Sequence, residues 1–178
     1  MKTSAVVATI LAAAGSSAAE SPFRMLALSK GAAFDGTYLR GSAGRFVLGK
    51  QTNTTCGAVA PMFTSSNNTI TTYGDGKQNV QMVSVDITGA VGGMLSYKDY
   101  PYNLTAEDVT DSFSQATSDS IQHLFYNNGT WLACPQQESG VYSVYADEAY
   151  SLKTGKQECI PFVIATQEVE SPQVCTMS

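Results

Sequence analysis

Charge is what this chain has least of. Only 14% of its 178 residues are Asp, Glu, Lys or Arg, against about a quarter in an average globular protein. With 15 glycines as well, that shortage excludes a coiled coil. Positive charge is the scarcer sign: 10 Lys and Arg against 15 Asp and Glu give a net charge of −5 and a pI near 4.7. A surface of that sign repels nucleic acid and anionic membranes. Histidine occurs once, at His123, and tryptophan once, at Trp131. There is no Gly-x-Ser-x-Gly elbow, no His-Glu-x-x-His and no complete Gly-x-x-x-x-Gly-Lys-Ser/Thr phosphate loop. The acyl-transfer, zinc-protease and nucleotide chemistries that those patterns serve are therefore not expected. What is present is a 43% apolar fraction, enough for a core and against wholesale disorder.

The N-terminus reads as a secretory signal. Lys2 supplies a positive start, Ala5 to Ala14 form a short apolar run, and Ser17 and Ala19 occupy the −3 and −1 positions of a cleavage site after Ala19. The expected organisation is a signal peptide over 1–19 and one secreted domain over 20–178. No later stretch approaches the 18 or so apolar residues that a bilayer span requires. The tail Val174 to Ser178 lacks the apolar segment of a glycolipid-anchor signal. A secreted product without a membrane anchor is expected.

All four cysteines follow the signal. An even count in a secreted chain favours two disulfides, with three possible connectivities. No Cys-x-x-Cys pair suggests zinc. The favoured pairing is Cys134–Cys159, which joins neighbouring segments, with Cys56–Cys175, which would tie down a polar tail. Asn-x-Ser/Thr sequons occur at Asn53, Asn67, Asn103 and Asn128, each among polar or turn residues where glycans are accepted.

Short β-type runs dominate, punctuated by Gly, Asn, Ser and Pro. Ten strands are expected, over 23–28, 37–40, 45–49, 69–73, 79–86, 94–97, 121–125, 130–134, 141–145 and 160–166. In one, Gln81 shares a face with Val83; in another, His123 shares one with Ile121 and Phe125. The one candidate helix is 106–120, opened by Thr105 with Asp108 three residues on, though its interior is poor in helix formers. A faint threefold strand–turn–strand repeat suits a β-trefoil, and the strand number equally suits a β-sandwich. The expectation is one all-β, disulfide-stapled antiparallel domain.

Catalysis is hard to assemble from these residues. His123, the sole candidate histidine base, reads as a hydrogen-bonded structural residue on a strand. Disulfides consume every thiol. The acids Glu107, Asp108, Asp111 and Asp119 read as a solvated loop, since no calcium-loop ladder orders them. No enzyme, metal or cofactor is expected. The better lead is Tyr97-Lys98-Asp99-Tyr100-Pro101-Tyr102. Tyrosine faces stack on sugar rings while Asp99 and Lys98 could bond hydroxyls. Tyr97, Asp99, Tyr100 and Tyr102 are thus candidate ligand-binding residues, against the plainer reading that the rings cover the edge of the core. Trp131, Tyr142 and Tyr145 read as core.

Three C-terminal stretches then become informative: Trp131-Leu132-Ala133-Cys134-Pro135, Val141 to Ala146, and Cys159-Ile160-Pro161-Phe162-Val163-Ile164-Ala165. With Phe23 to Leu28 and Phe46 to Gly49, they resemble the PhiA-like group of phialide-associated fungal cell wall proteins and related IgE-binding-protein-like sequences. The resemblance implies a non-enzymatic extracellular or wall protein, linked to development of spore-bearing cells and partnered by wall polysaccharide or wall proteins. It brings no catalytic residue. Two alternatives stand beside it: an extracellular carbohydrate-binding module and a secreted host-directed effector.

Overall fold

The alternation in the sequence becomes thirteen short strands in the computed structural model, which describes residues 21–74, 80–89, 92–150 and 158–178. The first five are β1 (Phe23–Leu28), β2 (Arg40–Ser42), β3 (Arg45–Leu48), β4 (Phe63–Ser66) and β5 (Thr69–Thr72). Next come β6 (Met82–Asp86), β7 (Met94–Lys98), β8 (Asp108–Val109), β9 (Phe113–Ser118) and β10 (Ile121–Tyr126). The chain finishes with β11 (Trp131–Pro135), β12 (Tyr142–Ala146) and β13 (Ile160–Glu168). Among the described residues the helical content is one 3-10 turn, Asp147–Ala149. The expected signal peptide, residues 1–19, lies outside the described residues, as does Asn79 at the start of one expected strand.

Pairing is antiparallel and runs around a closed circuit. From β1 it passes through β4, β5, β6, β7, β12, β11 and β13, and β13 returns to β1 over six residue pairs. Strand β3 is wedged between β7 and β12. The β9–β10 hairpin hangs on β13 through Gln122 to Leu124, so β9 ends the path. Along β1 the period of two is plain: Phe23, Met25 and Ala27 are buried, and Arg24, Leu26 and Leu28 are half-exposed. The inner faces meet in an aromatic core with Trp131, Phe34, Phe46, Phe63 and Phe113 fully enclosed. Each such side chain contributes about 1.5–3 kcal/mol through burial. The Trp131 indole N–H donates to the Leu124 carbonyl at 2.7 Å, so the one polar atom of that ring is satisfied.

The all-β expectation therefore holds, and both disulfides join the expected partners, Cys56–Cys175 and Cys134–Cys159. The candidate helix over 106–120 does not form. Thr105 and Asp108 do interact as a cap would, with the Thr105 N–H donating to Asp108 Oδ2 at 2.7 Å, but they close a turn. The chain then enters β8 and β9, because the β-branched and small residues after Asp108 favour strand pairing with β6 and β10 over a helix. Strands β4, β8 and β9 are additions to the expected set.

Residues Gly44 to Lys50 have the glycine and lysine spacing of a phosphate loop, without its Ser/Thr. They form β3 and its turns instead of a loop opening a helix, so the spacing is incidental. On β10 the core face is Leu124 and Tyr126; His123 lies on the opposite, half-exposed face with Phe125, 6.4 Å between ring centroids. The expected hydrogen bond is missing there: His123 Nδ1 is enclosed without a partner among the described residues.

Candidate functional site

Strand β7 and the turn after it build the tyrosine segment. Tyr97 falls two residues after Leu95, so the strand period turns both inward. Tyr97 is only 5% exposed, its ring meets Phe46 edge-on at 5.5 Å, and its hydroxyl donates to the Ser178 carbonyl at 2.9 Å. Burial, reinforced by the nearby Asp99 charge, raises its phenol above the ordinary value, against the lowering effect of a bond to the Gly44 backbone. Tyr97 is thus a core residue that borders an open groove with little of its ring exposed, which corrects its place beside Tyr100 and Tyr102 as a stacking surface.

The other two rings emerge where β7 ends. The Tyr100–Pro101 peptide bond is cis. Tyr100 is 57% exposed and Tyr102 half-buried, with ring centroids 5.6 Å apart and planes at 90°. Partial burial, with Tyr100 adding to it, pushes the Tyr102 phenol up. Asp99 is exposed, but its Oδ1 already accepts from Gln81 Nε2 at 2.7 Å. Lys98 is also engaged: its ammonium pairs with Asp108 and donates to the Asn103 carbonyl at 3.3 Å. An open groove of about 540 Å³ lies between Gly44, Asp99, Tyr100, Pro101, Met177 and Ser178.

Structure therefore brings Asp99, Tyr100 and Tyr102 to one rim and withdraws Tyr97 beneath it. Chemically the rim offers one solvated aromatic face and phenolic hydroxyls. Its two charged groups are already committed within the protein. Sequence reasoning missed the hub beneath, Gln81, which binds Asp99 and the backbone of Met177 together. Its signal was the alternation that sets Gln81 on the same face as Val83. Asp108, expected in a solvated acidic loop, instead has its side chain 2% exposed against Lys98. All four sequon asparagines are exposed. Asn67 and Asn128 sit at positive φ of 50° and 61° in tight turns, where Asn is among the residues best tolerated.

Comparison with known proteins bears on what this scaffold serves. The chain is similar to cell wall protein phiA of Emericella nidulans, 25% identical over 107 residues, which cover 58% of this chain and 56% of the relative. The match thus spans little more than half the length of that curated relative. No solved structure matches the chain. The family model described as PhiA-like secreted protein matches residues 23–178, from the first strand to the last residue, and the chain belongs to that family.

Proposed function

We propose that this protein is a non-enzymatic glycoprotein of the fungal cell surface, contributing to wall structure where spore-bearing cells develop. The observation that carries the reading is the likeness to a cell wall protein within a family of secreted proteins. The strand circuit fits it: a closed pairing path, stapled by two disulfides, suits long residence outside the cell. In this reading the leader is removed after Ala19 and glycans occupy exposed Asn53, Asn67, Asn103 and Asn128. Its partners are wall polysaccharide or wall proteins. Sequential extraction of washed walls, followed by immunoblotting, tests the proposal. Retention in the wall fraction is expected, and complete recovery from the medium would overturn it.

A second reading makes the Tyr100, Asp99 and Tyr102 rim a sugar-binding surface, favoured by the exposure of the Tyr100 ring. Replacing Tyr100 and Tyr102 by Ala should then abolish depletion of the folded protein by insoluble chitin, β-glucan or mannan. Undiminished depletion would remove the rim from consideration.

A further inference from the structure

Strand alternation reserves inward positions for apolar side chains, and at one end of this core the rule is broken. On β9 the face that buries Phe113 continues to half-buried Gln115, and on β10 the face that buries Leu124 and Tyr126 continues to exposed Gln122, so amides follow the apolar side chains where the hairpin leaves the core. Across the core, β4 and β5 place Ser65 on the same face as buried Phe63 and Ile70. The two hairpins are tied by the Phe113 N–H donating to the Asn68 carbonyl at 3.1 Å. Between them is an unfilled cleft of about 200 Å³. Ile70, Phe113 and Leu124, each at most 2% exposed, form its floor, and Ser65, Gln115 and Gln122 stand on its walls.

Hydrogen bonding within the cleft is incomplete. Gln122 Nε2 donates to Gln115 Oε1 at 2.9 Å, and Gln122 Oε1 accepts from the Thr166 hydroxyl at 3.1 Å. Gln115 Nε2 is enclosed and has no partner among the described residues. Leaving such an amide unpaired costs about 1–3 kcal/mol, a cost that Leu, of similar bulk, would not carry. Among the described residues, no ionisable side chain lines the cleft. Amides and hydroxyls above an aliphatic and aromatic floor match a neutral ring with hydroxyls around its edge and C–H groups on its face. The volume is below the range of roughly 300 Å³ and more that larger ligands occupy, which limits the fit to one sugar unit.

We propose that this cleft binds a single residue of a neutral wall glycan, at a chain end or side branch, and that Gln115 turns about its terminal torsion, releasing the exposed Gln122 amide to water, so that Nε2 faces outward as a donor to a sugar hydroxyl. This rests on the wall-protein reading for the choice of glycan, and places the contact away from the tyrosine rim.

The test is calorimetric titration of the mature secreted protein with oligosaccharides of β-glucan, chitin and mannan. Wild type is compared with Gln115→Leu and with the Tyr100→Ala/Tyr102→Ala pair. The cleft predicts binding to one series, weakened ~tenfold or more by Gln115→Leu and unchanged in the tyrosine pair. Thermal melting controls for folding: Gln115→Leu removes the unpaired Nε2 but also the acceptor of the exposed Gln122 amide, so the two melting temperatures should be similar. Equal binding by Gln115→Leu, or no binding to any series, overturns the cleft. Wall extraction reads out separately, so a retained protein without sugar affinity would sink this inference and leave the wall assignment standing.

Discussion

The side chain of Gln81 and the backbone of Met177 hold each other by a reciprocal pair of hydrogen bonds. The Met177 N–H donates to Oε1 at 2.7 Å, and Nε2 donates to the Met177 carbonyl at 2.9 Å. An amide side chain here imitates a strand neighbour, so the C-terminal segment is satisfied as a ladder would satisfy it. Met177 itself is buried over Gly41, where an added Cβ would come within 2.5 Å of its sulfur. The same Nε2 reaches Asp99, coupling the tail to the rim that carries Tyr100.

Replacing Gln81 by Leu keeps the bulk and removes these bonds. The Met177 N–H and carbonyl would then be buried without partners, at a cost of about 2–4 kcal/mol in total. Urea denaturation of wild type and variant measures the difference. A change below about 0.5 kcal/mol, the usual scatter of surface substitutions, would show that the tail's backbone finds other partners.

The two disulfides should contribute unequally. Cys56–Cys175 closes a separation of 119 residues and Cys134–Cys159 one of 25. On the chain-entropy model these correspond to about 5 and about 3.5 kcal/mol. Paired Ser variants, one disulfide at a time, should rank in that order by denaturant midpoint at equal slope. The reverse ranking would mean that local strain, not loop length, governs them.

The favoured bridges formed, although closeness in sequence alone would have paired Cys159 with Cys175; it was the need to tie down the polar tail that pointed to Cys56–Cys175. Strands were legible where alternation was clean: Phe23–Leu28 has the expected bounds, and β13 extends its expected range by two residues. Strands β4 and β9 were not, because each offers one large apolar residue, Phe63 or Phe113, followed by Ser, Thr, Gln or Ala. Their strand state comes from partners elsewhere in the chain. The tyrosine segment was half legible. Tyr100 is exposed, as a stacking ring must be, while the burial of Tyr97 follows from its register with Leu95. Gln115 could have been flagged as an inward polar residue only once Phe113 was known to start a strand.

Two glycines with similar backbones should respond differently to Ala. Gly36 has φ +72° with open space where a methyl would be added, and Gly49 has φ +77° with the Gly140 carbonyl oxygen 1.9 Å from the methyl position. Gly36→Ala carries only the left-handed penalty, about 1–2 kcal/mol. Gly49→Ala adds a clash between two backbones that neither can relieve by rotating a side chain, so its loss should be the larger by several kcal/mol. Thermal melts of the two variants decide it, and equal losses would refute the close approach of β3 to the turn before β12.

Asp108 should shape the acid limb of stability. Burial alone would raise its carboxyl, but the Lys98 ammonium and the Thr105 N–H and hydroxyl outweigh that and hold it below 3.8. A carboxylate depressed in the folded state contributes stability that is fully present above its unfolded value and is lost as pH falls through its folded one. Asp108→Asn should therefore cost about 1 kcal/mol at neutral pH, limited by the solvent exposure of Lys98. The gap between variant and wild type should close as pH drops below 3.8. Denaturant midpoints from neutral pH downward provide the measurement. A gap that persists undiminished in strong acid would mean that Asp108 acts through packing, with its charge contributing nothing to the hold on Lys98.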